Sequence, residues 1–409
     1  MLSKLRRLLK SGFRAPSPAG GTSRIASGSP REPPSPASDI NLLRPDVIRN
    51  PFPHYAALRR SGSVHFLTEH DFWLVLGYDD VVYALKHPEL FSSVRPTVRF
   101  DPVLNEADPP AHTRVRRILS PYFSAPSVQA FEDYARECAV KLLADGDGRQ
   151  EFDLVNDFAN PLTELLIGRL LGLSQDETED LMRHLEVHKH RFDGEVYRVL
   201  EDWLRAYLEK LRERPVENMC SRLLQGTGEA TLTPEEIVAL MKLFWVAGTT
   251  TTSRLISASA LLLLQNPHVR AEVRGNSRLL PALVEEAMRL EAPEQMVWRV
   301  AKQDVELGGA RIACGTEVRL CIAAANRDPE HFAEPDALSL QRNPNSHLSF
   351  AAGPHYCIGA AMGRMLARVG LETLLAAWPD FRAARPLSAI SYEESFSSRA
   401  LEHLFIREA

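Results

Sequence analysis

Phe350-Ala351-Ala352-Gly353-Pro354-His355-Tyr356-Cys357-Ile358-Gly359 places one cysteine at the exit of a loop bent by glycine and proline. An apolar helical run from Ala360 to Leu375 follows directly. A thiol in that position faces the first backbone N–H groups of a helix, whose partial positive charge favours thiolate over thiol. No second cysteine stands nearby, so a zinc site or a disulfide lacks its partners. An axial ligand to a metal carried by a cofactor suits the arrangement better.

The other cysteines, Cys138, Cys220, Cys314 and Cys321, form no C-x-x-C pair. An odd total of five predicts a reducing, cytoplasmic setting with the four others as buried free thiols, Cys314 and Cys321 packing on strands. The 409 residues are 44% hydrophobic and 25% charged, enough apolar material for a large core. A net charge of −5 argues against nucleic acid as a partner. No apolar run reaches membrane-spanning length, and the one around Leu261 to Leu264 is soon stopped by Asn266-Pro267.

Residues 1–38 differ from the rest. Lys4, Arg6, Arg7, Lys10, Arg14, Arg24 and Arg31 precede the first acid, Glu32, and from Ser11 onward Ser, Pro, Gly and Ala dominate. Such a stretch buries too little apolar surface to order itself and is expected to be a disordered tail. The spacing of Leu2, Leu5, Leu8 and Leu9 also suits a short basic amphipathic helix at residues 1–10. A weak membrane-surface contact or a transit peptide therefore stands as the alternative. Residues 39–409 read as one domain, mainly α with a minor β region.

Within that domain a strand is predicted at Trp73–Leu76, with a helix over 79–86. Further helices are predicted at 112–120, 127–145, 158–171, 177–190, 195–212, 234–265 and 280–290. A β-rich patch covers 297–323, where Val305 to Ile312 reads as a hairpin turning at Gly308-Gly309. There is no internal repeat, P-loop or H-E-x-x-H.

Four further segments carry chemistry. The helix at 234 opens with Thr233, Pro234 and Glu236, a capping-box pattern. Its middle reads Ala247-Gly248-Thr249-Thr250-Thr251-Thr252, residues that cost helix propensity. One reading is a kink where threonine hydroxyls bond back one turn. The other is a groove where small residues admit a diatomic ligand and a hydroxyl relays protons. In Asp108-Pro109-Pro110-Ala111-His112-Thr113-Arg114-Val115-Arg116-Arg117, His112 and Arg116 stand four apart and can converge on one anion. A solvated basic face is the plainer reading. Glu286 and Arg289 form an i,i+3 pair, and Trp298-Arg299 opens the β patch. His184, His188 and His190 look like metal ligands but lack further donors, and a surface near a substrate entrance suits them better.

The cysteine loop and these four segments, taken in their order along the chain, resemble the cytochrome P-450 family of haem-thiolate monooxygenases, across roughly residues 40–405. The resemblance implies that fold, haem b as cofactor, and Cys357 as its metal ligand. It assigns His112, Arg116, Arg299 and His355 to the haem propionates. Phe350 would pack against the haem, and Gly353 and Gly359 would let the loop turn close to it. Arg342 would join Glu286 and Arg289 in a structural trio. Thr251 takes the position of the alcohol that hydrogen-bonds dioxygen. The family's acid position is occupied by Thr250, whose hydroxyl passes a proton along but is no carboxylate acid.

The resemblance further implies insertion of one oxygen atom from O2 into a small apolar substrate, such as a secondary metabolite. Electrons would come from NAD(P)H through ferredoxin and ferredoxin reductase, with Arg364, Arg368 and Arg114 or Arg117 as a basic docking patch. A monomer is expected. Substrate contacts are expected from 91–105, 170–200, the helix face before Ala247, Met296-Val297 and the turn near Phe396, with Phe91, Phe100, Phe192, Phe244 and Trp245 lining an apolar pocket. Thr250 keeps open a peroxide-driven or non-hydroxylating haem-thiolate enzyme. A catalytically silent haem-binding module and a haem-free structural protein are further alternatives.

Overall fold

The longest element of the computed structural model is a helix, Pro234–Gln265, and its start follows from the sequence. Thr233 Oγ1 accepts the Glu236 N–H at 3.2 Å, and the Glu236 carboxylate accepts the Thr233 N–H at 2.9 Å. Orphan N–H groups at the helix start are thereby satisfied reciprocally. The structure describes residues 37–94, 103–146, 148–186, 195–226 and 231–408, and the expected basic tail lies almost wholly outside them. The described part belongs to the compact unit Pro34–Ala409.

Seven helices position the site: α1 (Tyr78–Lys86), α2 (Ala111–Leu119), α3 (Glu132–Ala144), α4 (Asn160–Leu171), α5 (Pro234–Gln265), α6 (Leu280–Glu291) and α7 (Ala360–Ala377). The main sheet holds β1 (Ala37–Ser38), β2 (Val64–Leu67), β3 (Phe72–Val75), β4 (Phe91–Ser92), β5 (Met296–Ala301) and β6 (Glu317–Cys321) in the order β1-β2-β3-β6-β5-β4. β1 and β2 run parallel, as do β3 and β6; the remaining pairs are antiparallel. The expected hairpin is present at Val305–Leu307 and Ala310–Ile312.

One hydrophobic core joins α2 to α7 through residues such as Phe158, Leu166, Ile256 and Leu371. A second fills the sheet and α1 with Trp73, Leu74, Val81 and Leu320. α5 crosses α4 where Gly248 lies: a Cβ there would stand 2.5 Å from Ile167 Cδ1. α5 meets α7 at Thr252 and Gly363, and again at Ile256 and Gly370.

Several expectations change. The helix predicted over 127–145 is two, Ala125–Gln129 and Glu132–Ala144, because the Phe131 N–H turns back to Val128 O at 3.0 Å. Cys314 is exposed in the turn before β6, and Cys138 is half-buried; only Cys220 and Cys321 are buried free thiols. Phe91 is fully buried in the sheet core, opposite Ala301. Phe100 and Phe192 lie outside the described residues.

The expected trio is present. Arg289 donates from Nε and Nη2 to the Glu286 carboxylate at 2.6 and 2.9 Å, and Arg342 Nε adds a bond of 3.1 Å. Glu286 and Arg289 are 1% and 0% exposed, so removing one partner strands a buried charge. Arg289→Met should cost about 3–5 kcal/mol, read as a lower urea midpoint. Arg342→Met should cost about 1–3 kcal/mol. Equal losses from the two would contradict Arg289 as the buried centre of the pair.

Candidate functional site

The Cys357 loop is held from below by backbone. Cys357 N–H donates to Phe350 O at 2.8 Å, which closes the bend, and Ala360 N–H reaches Cys357 O at 3.4 Å as α7 begins. Gly353 adopts φ +68°, a left-handed conformation that favours glycine, and a Cβ there would lie 2.6 Å from Leu85 O at the end of α1. The loop therefore rests on α1 through a position that admits no side chain.

Cys357 is exposed at the surface, with protein crowded around its sulfur. Burial pushes its thiol up, against a hydrogen bond from the Gly359 backbone and the charges of Arg116 and Arg364. The helix-end effect expected from sequence is thus outweighed by desolvation. A coordinated metal would reverse that balance, since a thiol bound to a metal cation loses its proton outright.

Around the same loop the structure gathers the four expected basic side chains. His112 on α2 is 2% exposed, and its ring lies 4.3 Å from that of His355, centroid to centroid. Arg299 on β5 is 6% exposed and donates to Trp298 O at 2.7 Å. Arg116, one turn after His112, is half-buried. Burial, the Arg299 charge and the nearby His112 push His355 down to about 3, and burial pushes Arg299 down to about 10. His112 is lowered by burial and by Arg116.

The carboxylate beside this group is Asp108, which already accepts from Ser92 Oγ at 2.7 Å, Ser93 N–H at 2.8 Å and Lys302 Nζ at 3.4 Å. Both ring nitrogens of His112 are buried without a hydrogen-bond partner. Buried polar groups are ordinarily satisfied, and two orphaned nitrogens among cationic neighbours fit an anionic ligand. Two carboxylates on one planar group, with Cys357 two residues from His355 as metal ligand, match that demand.

On the α5 side, Ala247 is exposed within a helix whose residues 237–245 are buried. Thr251 stands one turn on, and the two share a face. The hydroxyls of Thr249, Thr250 and Thr251 donate back to Trp245 O, Val246 O and Ala247 O at 2.7, 2.8 and 2.7 Å, and the helix continues through them. Gly248 is not on the open face: its missing side chain accommodates Ile167, so its smallness serves helix packing.

The expected docking patch is corrected. Arg364 and Arg368 carry little free charge, because Glu285 pairs with the first at 2.7 Å and Glu132 with the second at 2.7 Å. Arg114 is likewise paired, with Glu236. Phe396 packs on His70 and Phe72 with Arg319 over its ring, and Phe244 packs on Phe123. His184 is exposed and bonds Asp180 O at 2.8 Å, while His188 and His190 lie outside the described residues. Among the described residues no cluster suits a metal held by His, Cys, Asp and Glu alone. No described helix is long and apolar enough to cross a membrane. The Glu285–His347 contact, 3.1 Å, was missed because nothing in the spacing of these residues announces it.

Two outcomes test this geometry. Gly353→Ala should destabilise by at least ~1–3 kcal/mol from the left-handed φ alone, whereas Gly359→Ala should cost little, since its φ is −86° and a Cβ would meet only Cys357 Sγ, at 3.9 Å. Denaturant unfolding of both variants checks the contrast. Glu285 is half-buried, and that desolvation raises its pKa, but Arg364 and His347 overrule this and bring it from 4.5 down to about 2. A depressed carboxyl contributes stability above its unfolded pKa that is lost as pH falls through the folded one. Thermal melting should therefore drop between pH 4.5 and 2, less steeply in Glu285→Gln than in the parent.

Comparison with known proteins agrees with the site. The cytochrome P450 family profile matches residues 181–379. Cytochrome P450 109 of Bacillus spizizenii is 34% identical over 343 residues, 80% of this chain and 84% of the relative. A solved structure of the myxobacterial cytochrome P450 CYP267B1 in complex with myristic acid superposes with a TM-score of 0.83 at 31% identity, covering 90% of this chain and 98% of that one. CYP109E1 of Bacillus megaterium in complex with testosterone gives 0.82 at 27% identity, over 89% and 99%. The expected fold and haem b cofactor stand, and the chain belongs to the cytochrome P450 family of haem-thiolate oxidoreductases.

Proposed function

We propose that the chain is a monooxygenase that inserts one oxygen atom from O2 into a small apolar molecule, with electrons passed from NAD(P)H through ferredoxin reductase and ferredoxin. The observation that carries this reading is the basic group His112, Arg116, Arg299 and His355, with the buried His112 nitrogens unpartnered and His355 two residues before Cys357. Haem b, once bound there, supplies activation of dioxygen and transfer of one of its atoms to carbon, the other leaving as water.

The remaining work belongs to the chain. Cys357 Sγ would ligate the iron, Phe350 and Gly359 shape the loop around that sulfur, and the four basic side chains would neutralise the propionates. Thr251 presents its hydroxyl on the open face of α5, where Oγ1 accepts and hands on a proton. Thr250 passes protons without supplying one. Myristic acid and testosterone bound to the relatives support an apolar substrate, as does the small side chain at Ala247.

The electron donor's docking face does not rest on Arg364 and Arg368, whose charges are internally paired; exposed Arg117 is the better contact of the predicted set. A peroxide-driven enzyme is the second reading, favoured by the absence of a carboxyl at Thr250.

Carbon monoxide difference spectra separate these readings. A strongly red-shifted Soret band is expected on reduction by dithionite and equally by NADPH with a ferredoxin and its reductase. A band with dithionite alone, together with peroxide-supported turnover, would favour the second reading, and no band in either would remove the thiolate assignment. Arg299→Met should speed haem loss to apomyoglobin by about 10-fold or more, the loss of one charge-assisted hydrogen bond. Thr251→Ala should lower product formation by about 10²-fold while NADPH oxidation continues and peroxide accumulates; unchanged coupling would remove Thr251 from proton transfer.

A further inference from the structure

On the α6 side of the cysteine loop, a charged network uses residues to which the reaction gives no part. Glu285 on α6 accepts from Arg364 Nε at 2.7 Å and Nη2 at 2.8 Å, a side-on bidentate pair, and from His347 Nε2 at 3.1 Å. The Arg364 guanidinium carbon lies 4.2 Å from the centre of the Phe350 ring, and Nη1 reaches Tyr356 OH at 3.3 Å. The His347 ring stands 5.9 Å from the same Phe350 ring. Phe350 is 8% exposed, and its carbonyl is the one that accepts the Cys357 N–H.

A guanidinium fixed in its plane by two bonds to one carboxylate has a single orientation, and here that orientation lays it over an aromatic face. Lysine would offer the charge without the plane. The Arg364 charge also acts on Cys357 itself, as one of the groups that favour its thiolate. The pair is three-quarters enclosed at Glu285, so solvent screens it less than a surface ion pair.

We infer that Glu285 and Arg364 are positioning residues for the Cys357 ligand: they hold the Phe350 ring against the loop, and the Arg364 charge, balanced by Glu285, sets the one-electron reduction potential of the iron that Cys357 ligates. This rests on the haem-thiolate reading. It gives Arg364 an internal role in place of donor docking. Reduction adds one electron to the iron–sulfur unit, so a nearby cation favours the reduced form and a nearby anion opposes it. Arg364→Met then lowers the potential. Glu285→Gln leaves the Arg364 cation uncompensated and raises it. Arg364→Lys keeps the charge but cannot stack or bind side-on, so its potential stays near the parent's while the ring is released.

The test is a redox titration of the haem-loaded protein and these variants, with dithionite as electron source and the Soret band as signal, accompanied by carbon monoxide difference spectra and haem content. Shifts of opposite sign in Arg364→Met and Glu285→Gln, with a displaced or broadened carbon monoxide band in Arg364→Lys, are expected. A merely structural role would move both potentials the same way, and that result, or no shift in either, overturns the inference. Should Arg364→Met fail to load haem, the comparison of Glu285→Gln with Arg364→Lys decides: a raised potential in the first alone supports the inference, and equal potentials overturn it. If the parent protein itself gives no red-shifted carbon monoxide band, the haem-thiolate reading fails and this inference falls with it.

Discussion

Everything about the cysteine loop depends on where one buried carboxylate sits. Glu286 receives Arg289 twice, Arg342, Asn345 Nδ2 at 3.0 Å and the Ser339 N–H at 2.9 Å. Arg289 meanwhile donates to Asn326 O, Pro335 O and Ala337 O at 3.2, 2.5 and 2.8 Å. Buried ion pairs often add little net stability against apolar packing. Here the pair ties an irregular, proline-rich stretch to α6 through its own carbonyl oxygens, and that stretch leads into the ligand loop. A segment with no helix or strand of its own acquires a defined position because several of its backbone acceptors are taken by the guanidinium groups of Arg289 and Arg342.

The site shows opposed electrostatic demands met by separate parts of the chain. The four basic groups are gathered under desolvation, which drives His355 and Arg299 toward their neutral forms. The thiol is likewise driven toward its neutral form. Both tendencies are relieved by the same ligand, an anion at one end and a metal cation at the other. The protein thus stores unfavourable solvation on two sides of a gap and recovers it when one molecule satisfies both.

Much of this was legible because it is local. The capping box at Thr233, the hairpin turning at Gly308-Gly309 and the ligand loop are each encoded within a few residues, and the structure shows all three. His112 and Arg116 could be placed on one helix from their spacing. The unread features depend on residues distant in sequence. Nothing near 130 marks a helix break, since neither glycine nor proline stands there. The smallness of Gly248 was read as room for a ligand because Ile167, which fills that space, lies on another helix. Arg364 looked like a free cation because its carboxylate comes from α6, and Arg368 because its nearer partner, Glu132, comes from α3, although Glu372 one turn on also stands 3.4 Å away.

The contact between Gly353 and the carbonyl of Leu85 has a consequence for how this sequence can change. The two positions are remote in the chain, yet no side chain can appear at 353 unless the end of α1 retreats, and α1 is anchored by Val81, Ala84 and Leu85 in the sheet core. Drift in that core is therefore constrained by the backbone of the ligand loop as well as by the Ala351 and Ala352 side chains that pack on it. Substitutions that enlarge Ala84 or Leu85 would press the backbone of α1 onto the ligand loop, so selection for an intact metal ligand reaches into residues whose own chemistry is only packing.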